Sequence, residues 1–126
     1  MKVLHKKPDC WDSKVNFVDE HNVLLGYDTD QCCCEWADWF IADEPKDKPQ
    51  KQEDRDPDLD GYIFDPSFFK TTSNESEFDE GGMAIFKIVH ANKKDLFIHL
   101  FNCHNGYYSH GFTFTDNGTE LHNGSL

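Results

Sequence analysis

Two short apolar runs, Lys14–Val18 and residues 23–27, flank the polar link Asp19-Glu20-His21-Asn22. Strand-like segments joined by so short a polar link predict a β-hairpin. Past Asp28 the spacing changes. Cys33, Trp36, Ala37, Phe40 and Ile41 recur at i, i+3, i+4, i+7 and i+8, which is one stripe of a helix, with Asp30 as its N-cap and Pro45 as its stop. Residues 83–90 and 95–103 are apolar, aromatic-rich runs linked by Ala91-Asn-Lys-Lys, and 108–115 is a third such run. Asn105-Gly106 precedes the third run and predicts a tight turn, because both central residues of a type I′ turn need positive φ. Asp116-Asn117-Gly118-Thr119 predicts another turn before 120–122.

With Asn105-Gly106 as a two-residue loop, the register follows. Cys103 faces Tyr108, Phe101 faces His110, His99 faces Phe112, and Phe97 faces Phe114. Alternation then gathers these residues on one aromatic face, opposite Leu96, Ile98, Leu100 and Asn102. The aromatic face is the expected core and the 33–41 helix its expected cover. The predicted fold class is α+β: an antiparallel β meander packed by one main helix, with a long acidic loop, in a single domain of 126 residues.

The acidic loop comes from composition. Residues 43–80 hold 13 acidic and 5 basic residues, against a whole-chain formal charge of −12. Pro45, Pro49 and Pro57 fall in its first half, which reads as a solvated, partly irregular insertion, with Tyr62-Ile-Phe and Ser67-Phe-Phe as apolar anchors. Such a charge repels nucleic-acid phosphates and anionic headgroups, so neither nucleic acid nor membrane is an expected partner, whereas a basic protein or a cation is. The hydrophobic fraction is only 37%, but Phe 11, Trp 3 and Tyr 4 supply enough buried area for one aromatic core. No apolar run follows the early lysines and none approaches a membrane span. The five cysteines are odd in number and three are adjacent (Cys32, Cys33, Cys34), a poor disulfide framework. A reducing, cytoplasmic setting with free thiols and no structural zinc is the expectation.

Three constellations carry candidate chemistry. Asp56-Pro-Asp-Leu-Asp-Gly-Tyr-Ile places carboxylates at relative positions 1, 3 and 5 and glycine at 6, like the first half of an EF-hand calcium loop. Asp56, Asp58, Asp60 and the Tyr62 carbonyl are its candidate ligands for calcium, with Ile63 packing inward. Ser67 stands where the bidentate glutamate belongs, so the expected site is weak. On the aromatic face, His99, Cys103 and His110 lie on one side, a candidate zinc cluster lacking a fourth ligand. Cys103 with His110, oriented by Asp95 or Asn102, is the candidate thiol hydrolase pair. No nucleophile elbow, phosphate loop or metalloprotease pattern is present. The Asp54, Asp56, Asp58, Asp60 row is also the candidate surface for a basic partner.

Gln31-Cys-Cys-Cys-Glu35 and His104-Asn-Gly-Tyr-Tyr-Ser-His-Gly-Phe112 together resemble small bacterial and phage-associated domains of unknown function with Q-x-C-C-E and H-N-G-Y-Y-x-H-G-F motifs. The resemblance implies a bacterial or phage cytoplasm and assigns no functional residue. The leading functional expectation is a small acidic binding protein of the immunity, antitoxin or phage counter-defence kind, inhibiting or neutralising a basic protein. A weak divalent-cation binder and a Cys/His thiol hydrolase are the alternatives.

Overall fold

The computed structural model of the chain describes residues 1–6, 13–30, 36–72, 81–103 and 110–126. Among these residues there are nine strands and no helix: β1 (Lys2–Lys6), β2 (Lys14–Val18), β3 (Val23–Asp28), β4 (Trp36–Ala42), β5 (Ile63–Thr72), β6 (Gly82–Val89), β7 (Leu96–Cys103), β8 (Gly111–Asp116) and β9 (Thr119–Ser125). They form two antiparallel sheets, a five-stranded one ordered β1-β2-β3-β8-β9 and a four-stranded one ordered β4-β7-β6-β5. The sheets share one core. Val15, Phe17, Leu25, Tyr27, Phe112 and Phe114 of the first meet Trp39, Phe64, Phe86, Ile88, Ile98 and Leu100 of the second. The Tyr27 hydroxyl also donates to the Phe101 carbonyl at 2.8 Å, joining the sheets through a buried hydrogen bond.

The helix expected over 33–41 is a strand over its described part, so the α+β reading is corrected to all-β. β4 pairs with β7 through seven consecutive partners, Trp36↔Cys103 to Ala42↔Phe97. The misleading stripe arises because β4 is apolar on both sides. Trp39 and Ile41 face the core between the sheets, whereas Phe40 and Ala42 join a second cluster with Met83, Ile85 and Phe101 on the far face of the four-stranded sheet. Apolar residues at adjacent positions then mimic helical spacing, as in any strand buried on both faces. Cys33 lies outside the described residues.

The hairpins at 19–22, 91–94 and 117–118 form as expected, with Val18↔Leu24, Ile88↔Leu96 and Asp116↔Thr119 closing them. Asn117 (φ 49) and Gly118 (φ 86) supply the two positive φ values. The third-run hairpin does not. β7 pairs with β4 and β6, while β8 pairs with β3 and β9. His99 therefore faces Phe40 and Ile85, not Phe112. Asn105-Gly106 itself lies outside the described residues. The expected core face of β7 is corrected too: Ile98 and Leu100 point between the sheets, and His99 and Phe101 to the far side, although all four are fully buried. A strand covered on both faces needs a neighbour on each edge to pair its backbone, which makes β7 central in its own sheet and leaves β8 to the other.

Residues 63–72 of the acidic zone are not loop but β5. Its bulge between Asp65 and Phe69 lets Phe64 and Phe69, five residues apart, both pack against the inter-sheet core. In a regular strand their parity would place them on opposite faces.

Candidate binding surface

β4 and β5 are the two edges of the four-stranded sheet, so residues 43–62 must travel from one edge to the other. Their contacts trace the route. The Lys46 amide donates to His99 Nε2 at 3.0 Å on the far face of the sheet. The chain then returns to the β4 edge, where the Gln52 side-chain oxygen accepts the Ile41 amide at 3.0 Å. Arg55 follows, with Nη2 2.7 Å from Asp38 Oδ1 and Nη1 3.1 Å from Oδ2, and its guanidinium 4.8 Å above the Trp39 ring. The Arg55 carbonyl is 2.8 Å from His5 Nε2 on β1. Leu59 and Tyr62 are then buried, and the Tyr62 hydroxyl donates to the Lys94 carbonyl at 2.9 Å. The acidic segment is tied down at five points rather than being a purely solvated loop.

Burial holds the Tyr62 phenol above its ordinary pKa, and the charge of Asp95 adds to that effect. Gly61 makes the sharp turn expected of it, at φ +80. Ile63 is only half-buried; Tyr62 and Phe64 take the inward positions on either side of it.

The predicted site residues lie along one exposed run. Asp54, Asp56, Asp58 and Asp60 are all exposed. Asp54 Oδ1 accepts the Asp56 amide and Asp58 Oδ1 accepts the Asp60 amide, both at 3.1 Å, which are side-chain turns that shape the loop. Among the described residues no group of three His, Cys, Asp or Glu side chains is gathered as metal ligands, so neither Asp56, Asp58 and Asp60 nor His99, Cys103 and His110 form such a cluster. Nearby, Asp65 is engaged by Ser67, whose hydroxyl holds its carboxyl below the ordinary range. The thiol pair also loses its basis as cross-strand neighbours: Cys103 ends β7 in one sheet, and His110 precedes β8 in the other with Nδ1 2.8 Å from the Asp28 carbonyl.

The sequence marks Asp19 only as a hairpin residue, yet it organises the base of this surface. Its Oδ1 accepts the His21 and Val23 amides and its Oδ2 accepts the Phe64 amide, each at 2.9 Å. One buried carboxylate thus shapes the β2–β3 turn and fixes the point where the acidic segment enters β5. An aspartate opening a tight turn is a legible signal for the first role. Its bond to Phe64, across 45 residues of sequence, is not. A cleft of about 490 Å³ lies alongside, lined by Lys2, Glu20, Asp58, Leu59 and Tyr62 among others.

Gly61 offers a direct check of how firmly this loop is seated. A Cβ there would stand 2.6 Å from His90 Nε2, and His90 Nδ1 already accepts the Asn92 amide at 2.9 Å. Gly61→Ala is expected to cost about 2 kcal/mol in urea unfolding, combining the positive-φ and overpacking penalties. Gly118→Ala, with φ +86 but nothing within 4 Å of the added carbon, should cost only about 1 kcal/mol. Equal losses would show that His90 does not hold the loop.

The fold and this surface define an all-β, two-sheet protein with an anchored acidic segment. No family model, curated protein or solved structure matches the chain. The Q-C-C-C-E motif and most of the H-N-G-Y-Y-S-H-G-F motif lie outside the described residues. Among the described residues no helix is long and apolar enough to cross a membrane.

Proposed function

We propose that this chain is a small acidic binding protein that captures a basic protein in a bacterial or phage cytoplasm, as an inhibitor or neutralising partner. The observation that carries the reading is the state of residues 53–60. Arg55, the one cation in that run, is engaged by Asp38 and stacked over Trp39, while Glu53, Asp54, Asp56, Asp58 and Asp60 face water. A pre-shaped surface of one sign lowers the ordering cost of association and steers an oppositely charged partner.

The test follows from which carboxylates shape the loop. Asp54 and Asp58 hold backbone amides, so their reversal would disturb the turn itself. Glu53, Asp56 and Asp60 hold no backbone amide among the described residues. The triple variant Glu53→Lys, Asp56→Lys, Asp60→Lys is expected to keep its unfolding midpoint within the small range of exposed substitutions. It should associate at least about tenfold more slowly with the basic protein that the wild type captures from host lysate. High salt should slow the wild type similarly, because charges beyond about 8 Å are screened at physiological ionic strength. Capture unchanged by both salt and charge reversal would sink the reading.

A further inference from the structure

The sandwich has four edges, and three of them are blunted in ways that oppose strand addition. β1 opens on the exposed Lys2 and is bridged by His5 to the Arg55 carbonyl. β4 is covered by Gln52, which takes the Ile41 amide, and by the Arg55–Asp38 pair. β5 is interrupted by Pro66 and by its bulge. β9 shares only a register shift, between the pairs Phe114↔His122 and Thr115↔Glu120, which leaves Leu121 as an extra residue. Its sequence Thr-Glu-Leu-His-Asn-Gly-Ser contains neither lysine nor proline, and among the described residues it pairs only with β8.

The ground beside β9 suits a guest strand. The opposite edge of the molecule's core, β5, lies across a cleft of about 470 Å³ from β9, lined by Phe69, Thr71, Met83, Phe112 and Gly124 among others. His122 stacks on Phe69 at 4.0 Å between ring centres and leaves this cleft open beside it. On the outer side Leu121 is 38% exposed. An added strand alternates its side chains between the two faces, so one set would enter the aromatic cleft and the other would stand in water. The occupant is set by charge. Glu120 is the only charged side chain of β9 and is negative, in a chain of formal charge −12. A second copy would bring the same excess of negative charge to the contact, whereas a cationic strand is attracted by it.

We propose that β9 is a docking edge at which an extended segment of a basic protein, alternating apolar and cationic residues, adds to the five-stranded sheet. The proposal rests on the basic-partner reading above and gives that partner a binding mode. Main-chain hydrogen bonds to β9 supply affinity, and the Phe69–Phe112 cleft selects an apolar side chain at alternate positions.

The probe is a synthetic peptide alternating lysine and valine, compared with a block peptide of identical composition that has its lysines and valines segregated. Hydrogen exchange and chemical shifts of the full chain read where each binds. The alternating peptide is expected to slow amide exchange in β9 at least about tenfold and to shift resonances of Phe69 and Phe112. Leu121→Lys with Asn123→Lys, both at exposed positions, should weaken it by about tenfold or more. If both peptides bind equally, without β9 protection but sensitive to the Glu53, Asp56, Asp60 reversal, the docking edge is overturned and the basic-partner reading stands. If neither binds, both fall. If β9 amides instead become protected as the chain's own concentration rises, the edge takes a second copy and the proposal is overturned.

Discussion

Replacing Asp19 with alanine is expected to destabilise the protein by about 3–5 kcal/mol, the largest loss for any single polar side chain described here. The carboxylate accepts three backbone amides, and two of them, on Val23 and Phe64, are in buried surroundings. A hydrogen bond to a charged group contributes about 1.5–3 kcal/mol, and stranding a buried donor costs about 1–3 kcal/mol. Water cannot easily repair the loss at Phe64, because Asp19 is 6% exposed and Phe64 4%. Asp19→Asn should recover little. Its single oxygen can still serve the turn amides, but its NH₂ group then meets the Phe64 amide, donor against donor. Urea unfolding should show a lower midpoint at unchanged slope, and Glu20→Ala, next in sequence and exposed, should stay within about 0.5 kcal/mol. An Asp19→Ala loss under 1 kcal/mol would mean that the link between the two sheets does not depend on this residue.

The second large effect is on pH. His99 is fully buried, stacked on Phe40 at 4.2 Å with an 11° interplanar angle. Because Nε2 accepts the Lys46 amide, Nδ1 carries the proton and donates to the Phe97 carbonyl at 3.0 Å. Only the neutral ring satisfies both bonds. Burial is the main cause that pushes its pKa down to about 4 from 6.5; bonds to the Phe97 and Phe40 backbone oppose the shift, and the Lys46 charge adds to it.

The sign follows from proton counting. Between pH 6.5 and about 4 the unfolded chain holds the proton that the folded ring refuses, so acid favours unfolding. The stabilisation of the neutral ring is full above pH 6.5 and falls as the pH drops, by about 3 kcal/mol once pH 4 is passed. His99→Gln keeps an acceptor for Lys46 but does not titrate. Its stability, measured by urea unfolding from pH 7 to pH 4.5, should decline less steeply than that of the wild type, by up to about 1.4 kcal/mol per pH unit. Parallel curves would place the acid sensitivity elsewhere. Protonation also breaks the bond to Lys46, so the first turn of the acidic segment should exchange its amides faster at low pH before global unfolding.

Local chemistry wrote much of this molecule in its sequence. The turns at 19–22, 91–94 and 117–118 were legible because turn residues act within four positions of one another. The strands around them were legible because Val, Ile, Phe and Leu alternate or run together between those turns. The acidic run and the left-handed Gly61 were legible too, since charge and φ preference belong to single residues. Periodicity failed at 36–42 because it measures how apolar positions recur, not how many faces are covered. Trp39 and Phe40 are both buried, on opposite sides of one strand, and their adjacency imitated a helix. The Asn105-Gly106 register failed for a related reason. A local turn signal cannot report that β7 already has β4 and β6 on its two edges.

What the tertiary structure alone decided is where distant segments meet. Asp19 reaches Phe64, Arg55 reaches Asp38, and Lys46 reaches His99, and none of these pairs has a spacing that any periodic pattern marks. Each contact compensates a buried or edge-exposed polar group that the sheets leave open. The acidic segment is therefore held in place by the demands of the sandwich, while its sequence determined only that it would be negative and wet.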